Sequence, residues 1–123
     1  AQSQQIEKPM TLEVSLGGKL EYLEANQIAY CKASGDYVEI YLVDDSEKLY
    51  SGSLKQLEGI LPATFLRVHR SYLVNLKQVT SLATDKSDDK LSSVLNLQNN
   101  QQVPVSRRLL PSVKSSIRST FEQ

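Results

Sequence analysis

Two short basic segments hold the side chains in this sequence that are best suited to bind a polyanion. The first lies in the stretch 61–84, which contains no Asp or Glu, and its basic side chains are Arg67, His69, Arg70 and Lys77. The second is Ser106-Arg107-Arg108. Arginine offers a planar fork of donors for phosphate oxygens or a guanine edge, and serine adds a hydroxyl donor. Together the segments predict phosphate or nucleic-acid binding, although either one alone is also typical of a solvated turn.

The charges are distributed unevenly along the chain, although they sum to zero. Residues 1–60 hold five Lys or Arg and ten Asp or Glu, a net charge of −5, whereas residues 61–123 hold nine and four, a net charge of +5. Binding to nucleic acid depends on the local positive patch rather than on the total. The asymmetry therefore favours the second half as a binding surface, and its alternative is a chance scatter of surface charge.

Catalytic and metal chemistry has few residues to draw on. The chain has one cysteine, Cys31, and one histidine, His69, which excludes an internal disulfide framework and a zinc site with two thiolates. Catalysis by His69 would need a nucleophile partner that the sequence does not identify. The acidic group Asp85, Asp88 and Asp89 matches no calcium-binding spacing, and no glycine-rich phosphate loop is present. We therefore expect neither an enzyme nor a metal or other cofactor.

Length and composition predict one domain. A chain of 123 residues with 40% hydrophobic and 23% charged residues is ordinary for a globular protein. No apolar run approaches the roughly 18 residues that a membrane span requires. Residues 1–10 are rich in Gln and Ser and are expected to be a linker from an upstream region, and residues 11–123 to form the domain. The single cysteine and the lack of a secretory signal favour the cytoplasm.

The pattern of β-favouring residues predicts a mostly β fold of about eight short antiparallel strands. Alternating apolar residues start a hairpin at Thr11, and Cys31 is expected to be a small buried hydrophobe in a later strand. Ser53 is expected to cap one short amphipathic helix, which Pro62 ends. A C-terminal helix is expected from about Pro111, with an apolar stripe formed by Leu110, Val113, Ile117 and Phe121.

The segment 65–75, Phe-Leu-Arg-Val-His-Arg-Ser-Tyr-Leu-Val-Asn, resembles the LytTR family, the LytR/AlgR-type DNA-binding domains of bacteria. Two further segments support the resemblance: 28–30 leading into 34–38, and the closing 103–108. The resemblance covers about residues 11–120. It implies an elongated arrangement of three small antiparallel β-sheets with one short helix and a C-terminal helix.

The resemblance also implies that loops, rather than a helix, enter the grooves of the DNA. Those loops would be the segment 34–37, the His69-Arg70 turn and the turn at 106–108. Three residues are expected to contact bases: Tyr37, Arg70 and Arg108. Others are expected to contact phosphate or to shape the loops: His69, Ser71, Ser106 and Arg107. Arg67 is included among the expected DNA-binding residues. Phe65 is expected to belong to the core and Asn75 to bond the backbone.

We therefore expect a sequence-specific double-stranded DNA-binding domain of a bacterial transcription regulator, such as the output domain of a two-component response regulator. Two copies are expected on a repeated site, with bent DNA, a receiver or sensory domain upstream and no small-molecule substrate. Some members of the family are fused to membrane segments, and a membrane tether upstream would be compatible with a cytoplasmic domain.

Two other functions remain open at this point. One is a protein-interaction or ligand-binding module, in which the acidic first half contacts a partner and the basic turns are incidental. The other is a metal-dependent nuclease that uses His69 and the acidic loop.

Overall fold

The described residues form three antiparallel β-sheets and two helices. The computed structural model of the protein describes residues 11–16, 18–85, 92–98 and 100–121. The strands are β1 (Thr11–Leu16), β2 (Lys19–Glu24), β3 (Ile28–Ser34), β4 (Tyr37–Leu42), β5 (Glu47–Ser51), β6 (Phe65–His69), β7 (Tyr72–Asn75), β8 (Val79–Asp85), β9 (Ser92–Leu97) and β10 (Gln102–Val105). The helices are α1 (Leu54–Ile60) and α2 (Leu110–Phe121), and short 3-10 turns precede β3 and β8, at Ala25–Gln27 and Leu76–Gln78.

A five-stranded sheet, the middle sheet, is the centre of the fold. Its strand order is β5-β4-β3-β7-β6, and every neighbouring pair is antiparallel. The other two sheets are the hairpin β1-β2 and a three-stranded sheet in the order β10-β9-β8. This arrangement confirms the predicted mostly β fold of small antiparallel sheets with two helices.

Each face of the middle sheet is covered by its own hydrophobic core. The first core contains buried residues of the hairpin, of α1 and of the sheet, for example Leu12, Leu57 and Leu73. The second core contains residues of β6, β9 and α2, for example Val68, Leu95 and Val113. Because close-packed side chains cover both faces, the strand ends are held in fixed relative positions.

Helix α1 forms as the sequence predicts. The Ser53 hydroxyl accepts a hydrogen bond from the Gln56 backbone N–H at 3.2 Å, and the Gln56 side chain accepts one from the Ser53 N–H at 2.8 Å. This reciprocal pair is a capping box, which satisfies two otherwise free donors at the start of the helix. Leu54 and Leu57 face the first core, whereas Ile60, which the apolar spacing also includes, remains 38% exposed.

A β-bulge in β6 decides which side of the middle sheet its last residues face. Arg67 pairs with Leu73 and His69 with Tyr72, so that Val68 is an extra residue on β6. Val68 packs in the second core, and the His69 ring contacts Tyr72 on that same side. Arg67 instead reaches α1, whose apolar side chains belong to the first core. Regular alternation would have placed Arg67 and His69 on one face.

Several sequence expectations are corrected in detail. The described residues form ten strands in place of the expected eight or so, and four of these, β5, β6, β7 and β10, are only four or five residues long. Helix α2 begins at Leu110, which agrees with the expected start at about Pro111, because proline is tolerated in a first helical turn. His69 is the last residue of β6 rather than part of the break between strands. The expected linker, the tip of the acidic loop (Asp88, Asp89) and the side chain of Phe121 lie outside the described residues.

Cys31 is confirmed as a buried hydrophobe. It is fully buried in the first core, and this burial raises the pKa of its thiol to about 12. Only the thiolate reacts rapidly with thiol reagents. We expect labelling of the folded protein at pH 8 to be at least about 1,000-fold slower than labelling of the denatured chain, because it must wait for opening of the core. Equal rates would show that the thiol reaches solvent in the folded state.

Candidate nucleic-acid interface

Three turns meet at one end of the middle sheet, and we call this end the turn edge: residues 34–37, 69–71 and 106–108. The Ala33 N–H donates to the Ser71 carbonyl at 2.8 Å, which joins the first turn to the second. The Ser106 N–H donates to the Val68 carbonyl at 2.8 Å, which joins the third turn to the second. The residues that the sequence singled out in three distant segments are therefore neighbours in the fold.

The first turn is a tight connection between β3 and β4. Ser34 pairs with Tyr37, so that only Gly35 and Asp36 lie between the strands. Gly35 has φ of +60°, a conformation that suits glycine at the first position of a type II′ hairpin turn. The Tyr37 side chain, at the base of this turn, is 52% exposed. Its ring and hydroxyl are thus free to contact a ligand at the turn edge.

A backbone hydrogen bond within the second turn holds the His69 ring. The His69 Nδ1 accepts a hydrogen bond from the Ser71 backbone N–H at 3.1 Å. In the neutral ring an accepting nitrogen carries no proton, so the proton lies on Nε2. No described residue hydrogen-bonds to Nε2, which is therefore a free donor. The same turn exposes the Arg70 side chain to solvent.

Arg67 lies beside this second turn with its guanidinium group engaged by the protein. Its Nε donates to the His69 carbonyl at 3.1 Å, and its Nη2 donates to the Arg70 carbonyl at 2.6 Å. Its Nη1 lies 3.5 Å from Oε2 of Glu58 on α1. Direct DNA contact by Arg67 stays a prediction, and these contacts show that Nε and Nη2 each donate to a carbonyl of the turn.

The third turn connects β10 to α2. Ser106 accepts a hydrogen bond from the Leu109 N–H at 3.0 Å through its carbonyl, and the following residues enter the helix. Arg107 and Arg108 are both exposed. Within the described part of the chain, the side chains of Arg70, Arg107 and Arg108 have no hydrogen-bond or ion-pair partner. Three guanidinium groups at one edge are therefore available for phosphate oxygens or base edges.

A row of aromatic rings, the aromatic ladder, crosses the middle sheet behind the second turn. Its members, from β4 to β6, are Tyr41, Tyr30, Tyr72 and His69. Tyr41 and Tyr30 stack with ring centroids 4.6 Å apart, Tyr30 and Tyr72 lie at 6.2 Å, and the His69 ring meets Tyr72 edge-on at 5.5 Å. The Tyr41 hydroxyl donates to Glu39 at 2.8 Å, and this bond, with burial, raises the pKa of Tyr41. The ladder fixes the His69 ring from the second-core side.

Phe65 belongs to the core and Asn75 bonds the backbone, as expected, and they pair with each other at the ends of β6 and β7 opposite the turn edge. Phe65 is 8% exposed within the first core, and Asn75 is 2% exposed. The Asn75 side-chain amide donates to the Ile28 carbonyl at 3.0 Å, and its oxygen accepts from the Lys77 N–H at 3.1 Å. Asn75 therefore ties the end of β7 both to the start of β3 and to the 3-10 turn that follows.

Sequence reasoning missed the role of Glu58. Nothing in the spacing of a glutamate on a short helix and an arginine nine residues later indicates that they pair. The pairing depends on the path of the chain through residues 61–64, which returns it to the middle sheet.

The residues of the turn edge fit a polyanion better than a metal. In the described ranges, no group of three or more His, Cys, Asp or Glu side chains is placed to hold a metal ion. Among the same residues, no helix is long and apolar enough to cross a membrane. The fold and the site together define a β-rich domain whose exposed arginines Arg70, Arg107 and Arg108 lie on turns at one end of the middle sheet.

Comparison with known proteins identifies the class. The LytTr DNA-binding domain family matches residues 18–118, and the chain belongs to this family of DNA-binding domains. A solved structure, the LytTr DNA-binding domain of a methyl-accepting/DNA response regulator from Bacillus cereus, superimposes with a TM-score of 0.73. The superposition covers 90% of this chain and 98% of that one at 20% identity, and it shows the shared fold.

Curated relatives are transcription and response regulators. The transcriptional regulatory protein BtsR of Escherichia coli is 34% identical over 101 residues, which are 80% of this chain and 39% of BtsR. An uncharacterized response regulatory protein of Vibrio cholerae is 31% identical over 102 residues, 80% of this chain and 38% of the relative. The chain thus spans about two fifths of the length of these relatives.

Proposed function

We propose that this domain binds double-stranded DNA sequence-specifically through the turn edge, as the output part of a bacterial transcription regulator. The observation that carries the proposal is the joining of three arginine- and tyrosine-bearing turns by the two backbone hydrogen bonds from Ala33 and Ser106. Such an edge can lie across a duplex without a recognition helix. Catalysis is not part of this function.

The size of the turn edge supports groove binding. Neighbouring strands are about 4.8 Å apart, so the three strand steps from β4 to β6 span roughly 14 Å. The third turn extends the edge beyond β6. The major groove is about 12 Å wide, so that one turn can enter it while its neighbours reach the flanking phosphates.

Each turn has a proposed role. The exposed Arg70 and Arg108 would read bases, because a guanidinium that bonds no other described residue can donate twice to a guanine edge. Tyr37 would contact a base from the first turn. His69 through Nε2, together with Ser71, Ser106 and Arg107, would bind phosphate and fix the register of the domain on the duplex.

The relatives support a wider setting for the domain. They are named as transcriptional and response regulatory proteins and are more than twice as long as the part that matches. We propose that this domain is coupled to an upstream receiver or sensory domain in the cytoplasm, and that two copies bind a repeated site and bend it.

Selection from a pool of random duplexes tests the function. We expect a short repeated motif to be enriched, and titration of the selected site to give a log-log salt slope of about −0.9 for each phosphate contacted. The matched control is a duplex of the same length and composition with scrambled sequence. Equal affinity for selected and scrambled duplexes would contradict sequence reading and favour a protein-interaction module, and magnesium-dependent cleavage of the pool would favour a nuclease.

A further inference from the structure

Arg67 uses all three guanidinium nitrogens within the protein. Two of its nitrogens bond consecutive carbonyls, those of His69 and Arg70, at 3.1 and 2.6 Å. The third faces the Glu58 carboxylate at 3.5 Å. By contrast, the Arg70 and Arg108 side chains bond no other residue in the described part of the chain.

These contacts fix the peptide planes from which Arg70 projects. The carbonyls of His69 and Arg70 lie on either side of the Arg70 Cα. The planar guanidinium group of Arg67 donates to both carbonyls at once. A lysine at this position would supply the same charge but a single ammonium, which cannot reproduce the fork. The geometry of the second turn therefore depends on the shape of the Arg67 side chain as well as on its charge.

Glu58 connects the Arg67 side chain to helix α1. It lies on α1, which is anchored by the Ser53 capping box and by Leu54 and Leu57 in the first core. The Arg67 and Glu58 side chains are 31% and 36% exposed. On the opposite face, the His69 ring is held by the Ser71 N–H and by Tyr72. The second turn is thus held by Arg67 on one face of the middle sheet and by His69 on the other.

We infer that Arg67 and Glu58 form a positioning pair that sets how Arg70 is presented to DNA, so that α1 helps to determine sequence preference. This inference rests on the proposed function. In this inference Arg67 affects DNA binding by holding the turn and does not contact phosphate directly. Glu58, although acidic, then favours binding to a polyanion because it holds Arg67 in place.

Two conservative substitutions separate the positioning role from a direct contact. If the pair positions the turn, Arg67→Lys should weaken binding to the selected site about tenfold, the factor expected for loss of one charge-assisted hydrogen bond, and leave the salt slope unchanged. Glu58→Gln should also weaken it, because the guanidinium loses its anchor. If Arg67 instead contacts phosphate, Arg67→Lys should be nearly silent. Glu58→Gln should then tighten binding, because a negative charge near the DNA is removed.

Matched controls exclude general effects of charge and of substitution. Glu13→Gln removes the same charge from an exposed position on the hairpin, and Arg118→Lys makes the same exchange on the exposed face of α2. Neither control should change specific affinity more than about twofold. Thermal unfolding of each variant reports whether the fold is retained.

A measurement on the free protein separates failure of this inference from failure of the proposed function. The Ser71 amide, which donates to His69, should exchange with solvent faster in Arg67→Lys than in the parent protein, while the Leu73 amide in β7 should be unaffected. If the parent protein showed no sequence preference, the proposed function would fail, and the exchange of Ser71 would still decide whether Arg67 holds the turn. Unchanged Ser71 exchange, or tighter DNA binding by Glu58→Gln, would overturn the inference.

Discussion

Replacing Arg108 by alanine should weaken binding to the selected DNA site by about 5- to 150-fold, which corresponds to roughly 1 to 3 kcal/mol. The reason is that Arg108 lies exposed in the third turn and bonds no other described residue, so that its planar fork can donate twice to the edge of a guanine. Arg70→Ala should behave in the same way, because its side chain has the same freedom on the second turn.

Base reading by Arg108 is tested by how the loss of affinity varies between DNA sequences. Titration against duplexes that differ from the selected site at one base pair should show that Arg108→Ala has lost discrimination at one position and kept it elsewhere. Arg118→Ala, which removes an exposed arginine from α2, is the matched control. A loss of equal size on every sequence, with a flatter salt slope, would assign Arg108 to phosphate and refute base reading by this residue.

The second large effect concerns stability. Asn75→Ala should lower the free energy of unfolding by about 2 to 3 kcal/mol, because it leaves the buried Ile28 carbonyl without its side-chain partner and also removes the part-buried bond to the Lys77 N–H. Chemical denaturation measures the free energy of unfolding of both proteins. We expect the slope of that free energy against denaturant concentration to be the same in the variant and the parent protein.

Asn96 provides the control for this substitution. It is also an asparagine in a strand, and its amide bonds the Ser81 hydroxyl at 2.9 Å, but the bond is exposed to water. Asn96→Ala should therefore cost less than about 1 kcal/mol. Equal losses in the two variants would show that solvent replaces the Asn75 hydrogen bonds and that the residue does not hold β3 and β7 together.

Much of the fold could be predicted because its signals are local. The alternation at Thr11–Leu16, the Ser53 cap and the proline near the start of α2 depend on residues a few positions apart, and each forms as expected. The roles of Phe65 and Asn75, which the family resemblance suggested, are also confirmed. The turns fall at Gly35 and Asn100, where the backbone adopts positive φ.

The arrangement of the site could not be predicted because it depends on contacts between distant segments. The bulge at Val68, the pairing of Arg67 with Glu58 and the bond between Ala33 and Ser71 leave no periodic trace in the sequence. The sequence identified the residues of the proposed DNA-binding edge. It did not distinguish Arg70 and Arg108, which bond no other described residue, from Arg67, which donates to two carbonyls of the turn.

The tyrosine fluorescence of the aromatic ladder can report binding at the turn edge. The chain contains no tryptophan and six tyrosines, so its intrinsic emission comes from tyrosine alone. One of these rings, Tyr72, contacts His69 at the turn edge. Tyr72 in turn lies beside Tyr30, which stacks on Tyr41. A ligand that shifts the His69 ring would change the surroundings of Tyr72 and with it the emission. Occupancy of the turn edge can therefore be followed in unlabelled protein, and a Tyr72→Phe variant would identify the contribution of that ring.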